Sequence, residues 1–218
     1  MPDGKFKILL VDDHPLVREW LASLINQQPD LVVCGEADSA PEALGYLNSQ
    51  ATDLAIIDLS LKESSGLELI KTIRSTHPAV AVIVLSMHDE KHYAERAIRA
   101  GARGYVMKRE TTKKIIAAIQ QVRSGKLGVS DEVAALFAER FVDNRRRSGT
   151  PVEELSDREL EVFRLLGQGL DTRSVANCLH ISIKTVQAYC ARIKDKLNLA
   201  NATELLREAI RWSESGAF

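Results

Sequence analysis

The sequence predicts two folded units, an α/β domain built on a parallel sheet of five strands and then an all-α domain of four helices. Three observations support this. Short apolar runs of strand length alternate with amphipathic helical stretches through the first 125 residues, the pattern of a parallel sheet covered on both faces. Those runs end in polar residues, among them Asp12, Asp58, Ser86 and Lys108. Beyond about residue 150 the strand-length apolar runs are gone and only helical spacing remains.

Lys7-Ile8-Leu9-Leu10-Val11 reads as the first buried strand, ending in Asp12-Asp13. Pro15 suits the first turn of a helix carrying Leu16, Trp20, Leu21, Leu24 and Ile25 at helical spacing. Leu31 to Ala37 is a second strand, and Ser39-Ala40-Pro41-Glu42 has the pattern of a capping box opening the helix of Ala43, Leu44 and Leu47. The third strand, Leu54-Ala55-Ile56-Ile57, runs into Asp58, and Gly66 opens a helix bearing Leu67, Leu69, Ile70 and Ile73. Val80 to Leu85 is the fourth strand, ending at Ser86, with a helix from about Glu90 to Ala100 and Gly101 after it. Gly104 to Met107 is the fifth, ending at Lys108, and a helix from about Thr111 to Ser124 closes the series.

The chain then carries a helix over about 131–143 and an Asn144-Arg145-Arg146-Arg147-Ser148-Gly149-Thr150-Pro151 stretch that reads as an exposed linker. This divides the chain into 1–125, a linker 126–151 and a helical domain 152–218. Ser156-Asp157-Arg158-Glu159 and Asn201-Ala202-Thr203-Glu204 resemble capping boxes, Ser182 is a plausible N-cap, and Asp171 or Thr172 caps the fourth helix. The short His180-Ile181 turn between two helices has helix-turn-helix proportions.

A composition of 45% apolar and 27% charged residues is that of an ordinary globular protein and argues against disorder. The N-terminus lacks an apolar targeting core and no apolar run is long enough to span a membrane, so the expected location is cytoplasmic, away from the membrane. Cys34, Cys178 and Cys190 are odd in number and lack metal-ligand spacing, and read as buried or half-buried thiols. Residues 1–125 carry 15 Lys and Arg against 16 Asp and Glu, and residues 151–218 carry 9 against 10. With no segment basic overall, any nucleic-acid site must rest on local clustering.

In an open α/β sheet, ligands collect at the C-terminal ends of the strands. Asp12, Asp13 and Asp58 at that edge would repel one another unless a cation neutralised them, and a hard ion such as Mg²⁺ fits carboxylate ligands. Lys108 adds a positive charge for a phosphate, and Ser86 a hydroxyl for another phosphate oxygen. The set suits an aspartate nucleophile that accepts a phosphoryl group.

On Asp12-Asp13, Asp58, Gly66, Ser86, Tyr105 and Lys108, residues 5–125 resemble the receiver domain of two-component response regulators. The resemblance implies a flavodoxin-like sheet of order 2-1-3-4-5, a family whose chemotaxis receiver is one of the standard examples of that order. It implies Asp58 as phosphoacceptor for a sensor histidine kinase, and Mg²⁺ on Asp13, Asp58 and the Ser60 carbonyl, with Asp12 acting through water. Lys108 would pair with the phosphoryl group, and Ser86 and Tyr105 would form a switch in which the ring turns inward behind the hydroxyl. The chain departs from the pattern at Lys62, where many receivers carry proline. Because Asp58 is ionised at neutral pH, no base is needed, so His14 reads as a loop residue and His88 as a modulator of water access.

In the helical domain, Ile183, Val186, Cys190, Ile193 and Leu197 share a core face at steps of three and four. The opposite face carries Lys184, Gln187, Ala188, Ala191 and Arg192, whose small, amide and cationic side chains suit a major groove. On composition alone an ordinary solvated helix face accounts for them equally well. Leu155-Ser156-Asp157-Arg158-Glu159-Leu160-Glu161-Val162, Ser182 to Val186 and Ile193 to Leu197 resemble the output domain of LuxR-type regulators, of the NarL/FixJ group. That resemblance implies base contacts by Gln187, Ala188 and Ala191, and phosphate contacts by Lys184, Thr185, Arg192 and Lys194. It also implies dimerisation through Leu205, Leu206 and Ile210 on paired half-sites of double-stranded DNA, with RNA polymerase as a further partner.

The expected protein is thus a regulator, not a dedicated enzyme, whose unphosphorylated receiver masks the recognition helix and which forms a homodimer when phosphorylated. One alternative is a regulator that binds DNA constitutively, with the receiver as an interaction domain. Another, a Mg²⁺-dependent aspartyl-phosphate phosphatase, requires a substrate cap for which the sequence has no segment.

Overall fold

The computed structural model describes residues 4–61, 65–142 and 151–214. Its contacts divide the chain into two compact units, Met1–Ala135 and Leu136–Phe218.

The first unit is a parallel sheet of β1 (Phe6–Val11), β2 (Leu31–Ala37), β3 (Leu54–Ile57), β4 (Ala81–Ser86) and β5 (Gly104–Met107), in the order β2-β1-β3-β4-β5. Between them run α1 (Pro15–Asn26), α2 (Ala40–Ser49), α3 (Gly66–Thr76) and α4 (Glu90–Ala100), and α5 (Thr112–Arg123) follows β5. Every residue of β3 and β5 is buried, which is why these segments read as continuous apolar runs rather than alternating ones. One core layer joins Ile8, Leu10, Leu54, Ile56, Ile83 and Leu85 of the sheet to Leu21 and Ile25 of α1 and Ile115 and Ile119 of α5.

Three sequence expectations are corrected here. Leu16 and Trp20 do not join the α1 core face: they are 79% and 40% exposed, and only Leu21 and Ile25 are buried, so the covered stripe is narrower than the apolar one. The capping box at α2 does not form, because Glu42 Oε2 accepts from the Asp38 N–H at 2.8 Å and the Ser39 hydroxyl makes no cap bond. Of the cysteines, Cys178 is exposed, while Cys34 and Cys190 are half-buried.

After α5 the chain bridges Gly128 to Gly104 and enters α6 (Asp131–Val142). The second unit has a short 3₁₀ turn, Pro151–Glu154, then α7 (Asp157–Gly167), α8 (Thr172–Cys178), α9 (Ile183–Leu197) and α10 (Ala202–Glu214). Ser156 and Glu159 form the expected capping box, and Asp171 and Ser182 accept from Ser174 N–H and Thr185 N–H as N-caps of α8 and α9. At α10 the box is shifted: Asn201 Oδ1 accepts from Glu204 N–H at 3.0 Å, but Glu204 Oε2 reaches back to Ala200 N–H at 2.7 Å. His180 at φ 51° makes the tight turn between α8 and α9. The stretch Asn144 to Thr150, with its three arginines, and Lys62 lie outside the described residues.

Candidate functional site

The sheet ladder carries the predicted residues to one edge. Asp12 N–H donates to Ala37 O at 3.1 Å, Asp58 N–H to Val11 O at 2.8 Å, and Lys108 N–H to Ser86 O at 2.8 Å. Each residue is thus held one step past its strand by a neighbouring strand's last carbonyls.

Asp12 and Asp58 are 3% and 4% exposed, and Lys108 bridges them, its Nζ 2.7 Å from Asp12 Oδ2 and 2.8 Å from Asp58 Oδ2. Asp58 Oδ1 is buried and without a hydrogen-bond partner. Ligand atoms of Asp12, Asp13, His14 and Asp58 lie within 4.8 Å of one another. His14 lies in the loop before α1, as expected, and its N–H and Nδ1 both reach Asp12 Oδ1, at 2.9 and 3.1 Å, while Nδ1 is 2.8 Å from Asp13 Oδ1, out of line for a hydrogen bond.

Charge follows from this geometry. Burial raises the Asp58 carboxyl above its usual range, with Asp12 adding to the effect, while Lys108 and the Ser60 backbone pull it down. Burial also works against the Lys108 ammonium, but Asp58 and Asp12 outweigh it and hold the lysine above its ordinary value. Three carboxylates against one ammonium leave two negative charges, the complement of a hard divalent cation.

The loop beneath Asp58 depends on Gly66. A Cβ there would collide with the Asp58 carbonyl oxygen and Leu59 Cα, while Gly66 N–H donates to Leu59 O at 3.0 Å. The glycine eight residues past the acid therefore answers a close backbone approach.

Ser86 is fully buried, and its Oγ accepts from His88 N–H at 3.2 Å. Tyr105 is turned inward and buried, its hydroxyl donating to His88 O at 2.8 Å. Burial raises its phenol well above the ordinary value, so it is a neutral donor. His88 is the residue the sequence undersold. Its Nε2 is 3.0 Å from Ser60 Oγ and its ring stacks on Tyr93, centroids 4.6 Å apart, so it ties the loop after Asp58 to the loop after Ser86. The placement two residues past Ser86 was the only signal of it in the sequence.

In the second unit, Lys184, Gln187, Ala188, Ala191 and Arg192 all lie exposed on α9. Val186 and Ile193 are buried and Cys190 and Leu197 half-buried, but Ile183, predicted for the core face, is exposed because it opens the helix beyond the packed turns. Thr185 is half-buried, its hydroxyl 2.8 Å from Ser182 Oγ, and Lys194 is half-buried. The Arg192 guanidinium stands 5.8 Å over the ring of half-buried Tyr189. Leu205 does not share an open stripe with Leu206 and Ile210: it is 3% exposed within the core, and they are 41% and 36% exposed.

Comparison with known families places residues 8–120 in the response regulator receiver domain and residues 153–209 in the luxR family of bacterial regulatory proteins. The chain is a response regulator of the NarL/FixJ type. As such it is a phosphorylation-dependent, DNA-binding transcriptional regulator. It is 31% identical to the oxygen regulatory protein NreC of Staphylococcus epidermidis over 211 residues, covering 94% of this chain and 97% of that one. It is 30% identical to the response regulator UvrY of Escherichia coli over 204 residues, covering 94% and 93%. Among solved structures it is similar to RcsB of Salmonella enterica serovar Typhimurium, which was bound to a promoter in the presence of the phosphomimetic BeF3⁻. The TM-score is 0.65 at 25% identity, covering 94% of this chain and 98% of that one. No helix among the described residues is long and apolar enough to cross a membrane.

Proposed function

We propose that Asp58 of this response regulator accepts a phosphoryl group from a sensor histidine kinase, and that this event licenses promoter binding by α9. The observation that carries the reading is the buried Asp58 carboxylate, with Oδ2 held by Lys108 and Oδ1 left open for a new bond. In the transfer an Asp58 oxygen attacks phosphorus in line, the new O–P bond forms, and the donor's P–N bond breaks with its electron pair leaving on the imidazole. The carboxylates of Asp12, Asp13 and Asp58 fit Mg²⁺ by donor type and by their uncompensated charge, and the Ser60 backbone carbonyl would add a further oxygen ligand. When bound, the ion supplies charge neutralisation at the transferring phosphoryl oxygens. Lys108 then pairs with a phosphoryl oxygen, and Ser86 donates its hydroxyl to another, with Tyr105 packed behind it. The chain takes part in its own phosphotransfer without being a dedicated enzyme.

The receiver is assigned residues 1–125, the linker 126–151 and the output domain 152–218. The unphosphorylated receiver restrains DNA binding, and the phosphorylated chain binds paired half-sites of double-stranded DNA in the cytoplasm as a homodimer, where RNA polymerase is the partner for transcription. Exposed Leu206 and Ile210 supply the dimer contact, with buried Leu205 supporting them from the core. Gln187, Ala188 and Ala191 meet bases, and Lys184, Arg192, Thr185 and Lys194 the phosphates. The placement of RcsB on promoter DNA in a phosphomimetic state supports this reading.

Mass spectrometry after incubation with acetyl phosphate and Mg²⁺ tests it. The expected result is one phosphoryl adduct on Asp58, absent from Asp58→Asn. No adduct on the wild-type chain would instead favour a regulator that binds DNA constitutively.

A further inference from the structure

The segment before the linker helix is fastened to β5 on one side and to the start of α4 on the other. On one side, Tyr105 N–H donates to Gly128 O and Gly128 N–H donates to Arg103 O, each at 2.9 Å, so the post-α5 segment lies along the β5 edge. That approach needs both glycines: a Cβ on Gly104 would come 2.8 Å from Gly128 O, and one on Gly128 would come 2.8 Å from Ala118 O. On the other side, Ser130 precedes α6 and caps it, its carbonyl accepting from Ala134 N–H at 2.9 Å and its Oγ from Val133 N–H at 3.2 Å. The same hydroxyl donates to Glu90 Oε1 at 2.8 Å, and Glu90 is 8% exposed at the start of α4. Val133, in the first turn of α6, is also buried.

Glu90 stands four residues past Ser86, and the connection between them is held by two bonds to His88: its N–H to Ser86 Oγ and its carbonyl from the Tyr105 hydroxyl. When the Ser86 side chain moves away from His88 to meet a phosphoryl group on Asp58, its Oγ no longer accepts from His88 N–H. The loop, and with it the first turn of α4, must then rearrange to satisfy that buried donor.

We propose that Glu90 and Ser130 are the joint through which the state of Asp58 reaches the linker helix. Phosphorylation withdraws Glu90 from the Ser130 hydroxyl and loosens the first turn of α6. This rests on the phosphoacceptor reading above, and goes beyond it by naming the contact that carries the signal out of the receiver. A hydroxyl bonded at once to a carboxylate and to a helix N–H is oriented by both, so losing the carboxylate weakens the cap as well.

Hydrogen exchange of the 131–142 segment in the full chain, with and without acetyl phosphate and Mg²⁺, tests the joint, with adduct mass read on the same samples. In the wild-type chain, phosphorylation is expected to speed exchange of the first α6 turn by about fivefold, the scale of one lost hydrogen bond. Glu90→Ala and Ser130→Ala are expected to take up the phosphoryl group normally and to exchange fast already, with no further change on phosphorylation. Ser130→Thr, which keeps the hydroxyl, is expected to restore the wild-type response. An Asp58 adduct without a change in α6, or a full response retained in Glu90→Ala, overturns the joint alone. Failure of the wild-type chain to form any adduct overturns both the joint and the phosphoacceptor reading.

Discussion

At the scale of single residues, the site is organised by an imbalance of charge in a buried place. Asp58 has a raised carboxyl because burial disfavours its charged form and the Asp12 charge repels it, against the downward pull of Lys108. A raised folded value means that the stability contributed by this group is present below the unfolded carboxylate range and lost as pH rises through the folded value, so at neutral pH the charged Asp58 costs stability. Asp58→Asn in EDTA is therefore expected to melt above the wild-type chain at neutral pH, with the gap closing in mildly acid buffer and on addition of Mg²⁺. A thermal shift series reads this directly, and a lower melting point for Asp58→Asn in EDTA would mean that Lys108 already balances the site. The strand-end acids, Ser86 and Lys108 were legible in the sequence because each terminates an apolar run. The tie from His88 to Ser60 was not, since a bond between residues 28 positions apart leaves no local trace.

Single elements show what periodicity does and does not reveal. It predicted the helices, but the apolar stripe of α1 includes Leu16 and Trp20, which lie beyond the width covered by the sheet. The same holds for Ile183 at the start of α9 and for Leu206 beside buried Leu205 on α10. Spacing tells which residues share a face, and only packing tells where that face ends. The α7 start shows the opposite case, in which a local motif carries a tertiary contact. Glu159 completes the capping box on Ser156 and also accepts from Lys196 of α9 at 2.7 Å, with Lys196 Nζ reaching Glu154 O at 3.2 Å. Burial pushes the Glu159 carboxyl up, but the bonds from Lys196 and Ser156 outweigh it and hold it below the usual range. Its stabilising contribution is thus present above the ordinary glutamate value and lost as pH falls through the depressed one. Glu159→Gln keeps the box and loses the ion pair. It is expected to cost about 1 kcal/mol at neutral pH, discounted for the exposure of Lys196, with the difference vanishing in acid. Urea unfolding at two pH values checks this. On α9, Lys184→Ala or Arg192→Ala is expected to weaken DNA binding and to lower the slope of log affinity against log salt by about one. An unchanged slope would mean that another face meets the phosphates.

At the scale of the whole molecule, the two units carry separate chemistry, and the regulator's behaviour depends on coupling them. The receiver offers a buried charge site, and the output domain offers the capped helix α9 with exposed cations. The order of these parts was readable from the loss of strand signal past β5, whereas the return of Gly128 to the β5 edge and of Ser130 to the start of α4 was not, because Glu90 and Ser130 are 40 positions apart. The coupling claim is tested most directly by DNA affinity of the full chain. Genomic fragments selected on the phosphorylated chain would be titrated by fluorescence anisotropy with and without acetyl phosphate and Mg²⁺, using wild type and Asp58→Asn. Wild type is expected to gain about tenfold or more, of the order of 1.4 kcal/mol, and Asp58→Asn nothing. Equal affinity of the wild-type chain in both states, or an equal gain in Asp58→Asn, would contradict control of DNA binding through Asp58.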